Sequence, residues 1–367
     1  MINYNELAYW MALTHMPQIW TKRKNEFIII CFNNKLSIID LFENKKLWDD
    51  LFKMTESEKL IFTEQKKKLP NYSFSAESLL EQGYSIIPIT SKEYSPILKK
   101  NLKISSPTIL YTKGNLHLLQ ENSVAIVGSR NAEDISLKFT NNIAQKVSKQ
   151  YKVVVSGFAK GIDRQALDMA LYYKGQSIIV LPQGIATFDS GFKQYYKHIV
   201  NGNLLVLSTF EPQLQWSTWA AMQRNSIIYG LANEIYVAQS DKKGGTWEGV
   251  QNGLKKGRAI YVRKPEQTEK NANNLLIKDG ATPVDFYGNI LEKENNEDIV
   301  LNMIVDFLKN GNAYTSKEII DKIHLDWKTV KMTKYLQQNK EKFTEVINSK
   351  PKKFKLKSIT TNTSSLF

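Results

Sequence analysis

Between residues 123 and 262, short runs of consecutive apolar residues alternate with longer stretches of helical periodicity. Val124-Ala125-Ile126-Val127, Val153-Val154-Val155, Ser177–Leu181, Leu204–Leu207, Glu234–Ala238 and Ala259–Val262 are too short for helices. They are also too uniformly apolar for strands with one wet face. Helices are predicted between them, from about Ser136 to Gln150 and around Arg164–Lys174. Strands buried on both faces and joined through helices predict an α/β fold: a Rossmann-like, doubly wound parallel sheet of about six strands.

The flanking regions read differently. Residues 1–75 carry helical spacing at Leu7, Trp10, Met11 and Thr14, continued by Leu47–Leu51–Phe52 and Leu60–Ile61, and predict a helical N-terminal domain. Residues 76–117 read as an extended connector packing on the core. It holds Ser85–Ile89, the prolines Pro96 and Pro107, a small strand at Ile109-Leu110-Tyr111 and a turn at Lys113-Gly114-Asn115. The core domain is placed at 118–288, and a polar, acidic linker at 289–297. Beyond it, helices are predicted at Ile299–Lys309, Ser316–Ile323 (with Thr315 as N-cap) and Asp326–Asn339. A hairpin of Phe343–Ile347 and Lys353–Ile359 completes the pattern of a C-terminal winged helix over 298–360.

Composition changes this picture in one respect. Hydrophobic residues make up 42% and charged residues 23%, ordinary values for a globular chain. Apolar runs such as Phe27–Phe32 are far too short to span a bilayer, and the start lacks the basic head and apolar middle of a signal peptide. Cys31 is the single cysteine, and His15, His117, His198 and His324 have no zinc-ligand spacing. The expectation is a cytoplasmic protein without metal, cofactor or membrane contact. The formal charge of +14 stands out. It fits either a phosphate-bearing partner or a solvated lysine surface, and charge alone does not choose between them.

The loops after the apolar strands bear on that choice, because ligands of doubly wound sheets sit at the carboxyl ends of the strands. Gly128-Ser129-Arg130 follows the first strand. Its glycine permits close backbone approach to an anion, its serine donates, and its arginine can fork onto phosphate oxygens. Ser156-Gly157-Phe158-Ala159-Lys160-Gly161-Ile162-Asp163 follows the second and opens a helix, where free N–H groups and the dipole favour a phosphate. Asp163 reads as a helix cap rather than as a partner of Arg130. Arg224 and Asn225 are candidates for phosphate or base contacts, with a helix-start ion pair and cap as the alternative. Gly244-Gly245-Thr246 is another phosphate-loop candidate, and nearby Glu248 keeps an enzymatic reading open. Of two tryptophans just before Arg224, Trp219 is assigned to core packing and Trp216 is left open between packing and base stacking.

Taken in order, these motifs resemble one family. The string Val127-Gly128-Ser129-Arg130, Ser156-Gly157-x-Ala159-x-Gly161-Ile162-Asp163, Arg224-Asn225-x-x-Ile228-x-Gly230-Leu231 and Leu275-Leu276-Ile277-x-x-Gly280-Ala281 resembles the DNA-processing protein A (DprA/Smf) family. The resemblance extends upstream to Tyr94-Ser95-Pro96 and Tyr111-x-Lys113-Gly114-Asn115. It implies a helical N-terminal domain of the SAM or helix-hairpin-helix type, a Rossmann-like core and a C-terminal winged helix. It also implies a homodimer that binds single-stranded DNA and protects incoming or exposed strands. Such a protein would load a RecA-type recombinase in transformation, recombination or defence against foreign DNA. Carried over by motif, the DNA- or phosphate-binding candidates are Gly128, Ser129, Arg130, Ser156, Gly157, Lys160, Gly161, Arg224, Asn225, Gly244, Gly245 and Thr246. Three departures mark a divergent branch: Leu167 where the family commonly has histidine, Gly244-Gly245-Thr246-Trp247-Glu248 in place of Ser-Gly-Ser, and Arg263-Lys264-Pro265 in place of Pro-Gly.

A rival reading remains open here. Gly-Gly-Thr with a nearby glutamate is similar to the signature of lysine-decarboxylase-like nucleotide hydrolases, which implies Arg224 and Glu248 as a catalytic pair or the site as a nucleotide sensor. In the C-terminal domain, Thr329, Lys331 and Lys334 lie on the predicted recognition helix. Lys353 and Lys355 alternate with Phe354 and Leu356 along the hairpin, so this domain could also meet duplex DNA.

Overall fold

Runs of β-branched and apolar residues form the middle of the main sheet. The computed structural model describes residues 4–291 and 296–357. The chain divides into two compact units, Met1–Leu291 and Glu292–Phe367. Among the described residues, the first unit carries nine sheet strands: β1 (Ser85–Pro88), β2 (Ile109–Gly114), β3 (Ser123–Val127), β4 (Val153–Ser156), β5 (Gln176–Val180), β6 (Leu204–Ser208), β7 (Glu234–Val237), β8 (Ala259–Arg263) and β9 (Thr282–Val284). Their order is β1-β2-β6-β5-β4-β3-β7-β8-β9. Pairing is parallel from β6 through β9, with Val155 opposite Ile178 and Val127 opposite Val237. β2 is antiparallel to both β1 and β6. The fold is therefore a mixed α/β one with a large, mostly parallel sheet. Its nine strands exceed the six that the apolar runs predict.

Both faces of the sheet are covered, which explains why the strands lack polar alternation. Ala125, Val127, Val155, Val180, Leu207 and Val237 face a layer built from the helices Pro96–Leu102, Thr218–Leu231 and Gly245–Lys255. On the other face Val124, Ile126 and Val154 pack on Phe139, Ile143 and Val147 of the helix Asp134–Lys149 and on Ala166 and Ala170 of the helix Ile162–Tyr172.

The first 117 residues are joined to this sheet more closely than a separate domain and a connector would be. The helices from Tyr4–Thr14 to Leu69–Glu81 share one core with it: Leu13, Phe27, Phe42 and Phe62 are continuous with Ile86, Tyr111, Ile179 and Val206. The stretch 76–117 is not merely a connector; it supplies the edge strands β1 and β2. Buried Asn25 donates to the carbonyls of Ile104 (2.9 Å) and Ser106 (2.8 Å), tying the helical part to that edge.

In the second unit the helices Asn296–Leu308, Ser316–Ile323 and Thr329–Gln338 stand with β10 (Tyr314–Thr315), β11 (Phe343–Glu345) and β12 (Lys353–Leu356). The strands form an antiparallel sheet in the order β10-β12-β11. Ile304, Leu308, Ile319, Met332, Leu336, Phe343 and Phe354 make a core of its own. Thr315 caps its helix as predicted, in a reciprocal box with Glu318. Residues 292–295 of the predicted linker, and the predicted strand end at Ile359, lie outside the described residues.

Candidate nucleic-acid interface

Strand order reverses at β3. From there β4, β5 and β6 run one way and β7, β8 and β9 the other, which leaves a crevice beyond the carboxyl ends of β3 and β7. A cleft of ≈ 360 Å³ occupies this position, lined by Gly128, Ser129, Arg130, Asp163, Arg224, Asn225, Lys243, Gly244, Gly245 and Thr246 among others. A second cleft, of ≈ 340 Å³, lies beyond β4 and β5 and is lined by Gly157, Lys160 and, again, Arg130 and Arg224. The structure thus brings most of the predicted core residues to one edge of the sheet, around two arginines.

Arg224 is the centre of the arrangement. It lies on the helix Thr218–Leu231, whose start is fixed by Ser217 accepting from the Ala220 amide (3.1 Å). Its residue is 3% exposed. Among the described residues, Nε and Nη1 have no hydrogen-bond partner, and the nearest charge is the Asp163 carboxylate, 3.6 Å from Nη1. A guanidinium holds its proton even when buried, so this is a desolvated cation with N–H donors left over. Burial pushes the Asp163 carboxyl above its usual range, while Arg224 pulls it back. Gly157 makes the close approach possible, since a Cβ there would overlap the guanidinium.

Asp163 is not the helix cap predicted for it. It is the second residue of the helix Ile162–Tyr172, and the N-cap is Gly161. Its buried carboxylate instead faces Arg224, 3.6 Å from Nη1, with the backbone amides of Gly157 and Ala159 opposing the burial-driven rise of its pKa. An internal carboxylate therefore lies against the loop expected to cradle a phosphate. The Gly128–Arg130 loop is likewise tied down: Ser129 N–H donates to the Gln239 carbonyl (2.9 Å), and Ser129 Oγ accepts from the Asn131 amide (3.2 Å). Ser156, predicted to touch DNA, is fully buried and donates to the Asp163 carbonyl (2.5 Å). The Thr246 hydroxyl donates to the Gly128 carbonyl (3.1 Å) and so ties two loops together.

The helix start at Gly244 best keeps the phosphate-loop role. Gly244 has φ +96°, a left-handed conformation suited to glycine, and caps the helix Gly245–Lys255 without a side chain. The first amides of a helix have no partners within it, and here they open on the cleft that holds Arg224. Exposed Lys243 beside it and exposed Arg130 across the crevice add positive charge. Lys160 is exposed at the second cleft. Sequence reasoning misses Lys243 and Gln239. The Lys242-Lys243 pair before Gly244 is a readable signal for the first, and nothing local marks the second.

Other expectations are corrected. Trp219, assigned to core packing, is 62% exposed and meets the Phe210 ring edge-on, 6.0 Å between ring centroids. Trp216 is 52% exposed. Glu248 is exposed and lines a third depression with Asn101 and Arg258, which shares Met222, Asn225, Tyr229 and Gly245 with the first cleft, and it lines neither cleft that Arg224 lines. The two residues of the hydrolase reading thus line neighbouring depressions and share no cleft. Arg263, where the family pattern differs, is a structural pin. It is 2% exposed, forms a two-pronged ion pair with Glu269 and donates to the Ala238 carbonyl (3.1 Å) and Ser136 Oγ (3.0 Å).

In the second unit Thr329, Lys331 and Lys334 are exposed on one helix, with the Lys331 ammonium 4.0 Å from the Trp327 ring. Lys353 and Lys355 are exposed on β12, while Phe354 between them is buried.

Residues 85–295 match the model of the family described as DNA recombination-mediator protein A. Among curated proteins, DNA processing protein DprA of Bacillus subtilis is 31% identical over 184 residues, covering 50% of this chain and 61% of that protein. DNA processing protein DprA of Streptococcus pneumoniae is 32% identical over 157 residues, covering 43% of this chain and 55% of that one. The matches therefore span less than two thirds of either relative. A solved structure of the S. pneumoniae protein superposes with a TM-score of 0.61 at 24% identity, over 76% of this chain and 94% of that one, which shows a shared fold.

Proposed function

The chain belongs to the DNA recombination-mediator protein A family, the DprA/Smf proteins, and from that premise we propose that it is a non-enzymatic single-stranded DNA-binding protein with loose sequence preference. The strand crosses the carboxyl edge of β7, β3, β4 and β5. Its phosphates meet Arg130, Lys160, Arg224 and Lys243 and the helix start at Gly244–Thr246. In the cell it protects incoming or exposed strands during transformation, recombination or defence, in the cytoplasm, as a homodimer and with a RecA-type recombinase as partner. The core is read as Rossmann-like, and the second unit as a winged helix that meets duplex DNA through Thr329, Lys331, Lys334, Lys353 and Lys355.

One observation carries the reading. The Arg224 guanidinium is a desolvated cation in the wall of both clefts, with the Asp163 carboxylate 3.6 Å away and Nε and Nη1 unpartnered among the described residues, and such a buried charge favours an anion in the crevice beside it. Lysine and arginine on both sides extend the positive edge beyond a single anion, as a polynucleotide requires. The hydrolase alternative is less well supported, since Glu248 lines neither of the clefts that Arg224 lines.

The test is the Arg130→Ala, Lys160→Ala double variant. Both side chains are exposed, so the fold should persist. The variant should bind an oligonucleotide more weakly, and its log-affinity should fall less steeply with log salt, by roughly 0.7 for each phosphate no longer neutralised. Unchanged affinity and slope would show that the site is misplaced.

A further inference from the structure

The second unit presents one side chain that neither its packing nor its charge explains. The helix Thr329–Gln338 buries Met332, Tyr335 and Leu336 in the unit's own core. Val330 falls on the opposite side of the helix and is 81% exposed. A β-branched residue is a poor helix former and gains nothing for the fold in such a place. The polar side chains near it are largely engaged. The Thr333 hydroxyl meets Ser316 Oγ (2.7 Å) and donates to the Thr329 carbonyl (3.0 Å). The Lys331 ammonium lies over the Trp327 ring, and the Gln337 amide donates to Glu345 (3.1 Å). On the first two turns this leaves Thr329, Val330 and Lys334 turned outward. The charge around them is strongly basic: residues 301–357 hold thirteen lysines against six acidic residues.

We infer that Val330 packs on C5-methyl groups in the major groove of duplex DNA, so that the second unit prefers thymine-bearing sites. The inference rests on reading this unit as a duplex-binding winged helix and deepens that reading by naming what its helix recognises. An excess of lysine matches a polyanion, and the first residues of a recognition helix are those that reach base edges. Thr329, Val330 and Lys334 include no amide or guanidinium fork. The lysine serves a phosphate or a guanine, and the threonine any base. Valine matches one feature alone. Thymine's methyl group is the apolar mark among the donors and acceptors that an unmodified base pair shows in that groove. Ile347 provides the contrast: it is as exposed as Val330 but stands in the turn between β11 and β12, outside this helix.

The experiment titrates the full chain, by fluorescence anisotropy, with two duplexes of one A·T-rich sequence, the second carrying uracil at every thymine position. The exchange removes the methyl groups and leaves every hydrogen-bonding group in place. The parent should prefer the thymine duplex by about fourfold, the worth of burying one methyl group. Val330→Ser should abolish the preference while keeping the salt dependence, Val330→Ile should retain it, and Ile347→Ala should retain it. Full preference in Val330→Ser, or its equal loss in Ile347→Ala, would overturn the methyl contact. A parent that binds the two duplexes equally would also overturn it while leaving duplex binding intact. A parent that binds neither duplex would overturn both the contact and the duplex reading of this unit.

Discussion

At the level of single residues, the site depends on which polar groups are already engaged inside the protein. Ser156 and Arg224 are both candidates by motif, and the structure separates them: the serine hydroxyl is buried on the Asp163 carbonyl, while the guanidinium keeps two donors. Ser156→Ala should therefore lower stability by about 1 kcal/mol, the worth of an ordinary internal hydrogen bond, and leave strand affinity unchanged. Urea unfolding and a binding titration check the two halves. Gly157→Ala should act the other way. Its methyl group falls on the Arg224 guanidinium, so the arginine must move and affinity should drop by about tenfold or more, as when a charged hydrogen-bonding group is removed. Parent-like binding by that variant would show that Arg224 has no part in the interface. The role of Asp163 is not legible locally, because its partner is far along the chain and meets it only through the fold.

At the level of elements, burial decides what is legible. β3 through β8 are visible as apolar runs because both of their faces are covered. The edge strands β1 and β2 carry the same local signal as any extended loop, and only their non-local antiparallel pairing makes them part of the sheet. Trp219 escapes prediction for a related reason: helical spacing predicts a buried face but not where a helix start emerges into solvent. The joint between the N-terminal helices and β2 has its own chemistry. The His15 imidazole is 2.7 Å from the Tyr111 hydroxyl, and the Lys24 ammonium donates to the Thr14 (2.6 Å) and Met16 (2.8 Å) carbonyls at the end of the first helix. Burial, with the charge of Lys24 close by, pulls the imidazole down to about 3. Between that value and about 6.5, where an unfolded histidine titrates, the unfolded chain binds the extra proton and stability falls as pH drops. From pH 6.5 to 5 this amounts to about 2 kcal/mol at most, before most carboxylates titrate. Chemical unfolding at the two pH values should show the loss, and His15→Gln should remove most of it. An equal loss in the variant would assign the effect elsewhere.

At the level of the whole molecule, the formal charge of +14 acquires meaning only where lysine and arginine meet the open end of the sheet. The fold class and the gathering of glycine loops at that edge are readable from strand spacing and motif order. The engagement of the Ser129 amide, the buried Asp163 beside Arg224, and the emergence of Gly244–Thr246 as the freer helix start are not, because they depend on which groups close over each loop. The claim that joins these scales is that the edge takes a continuous strand rather than a single nucleotide. A binding titration of the full chain against single-stranded DNA, duplex DNA of equal length and free nucleotides, at two salt concentrations, tests it most directly. The account predicts that the single strand binds most tightly and loses affinity steeply as salt rises, with free nucleotides far weaker. A free nucleotide that binds as tightly as the strand, or a single strand that fails to bind at low salt, would contradict it.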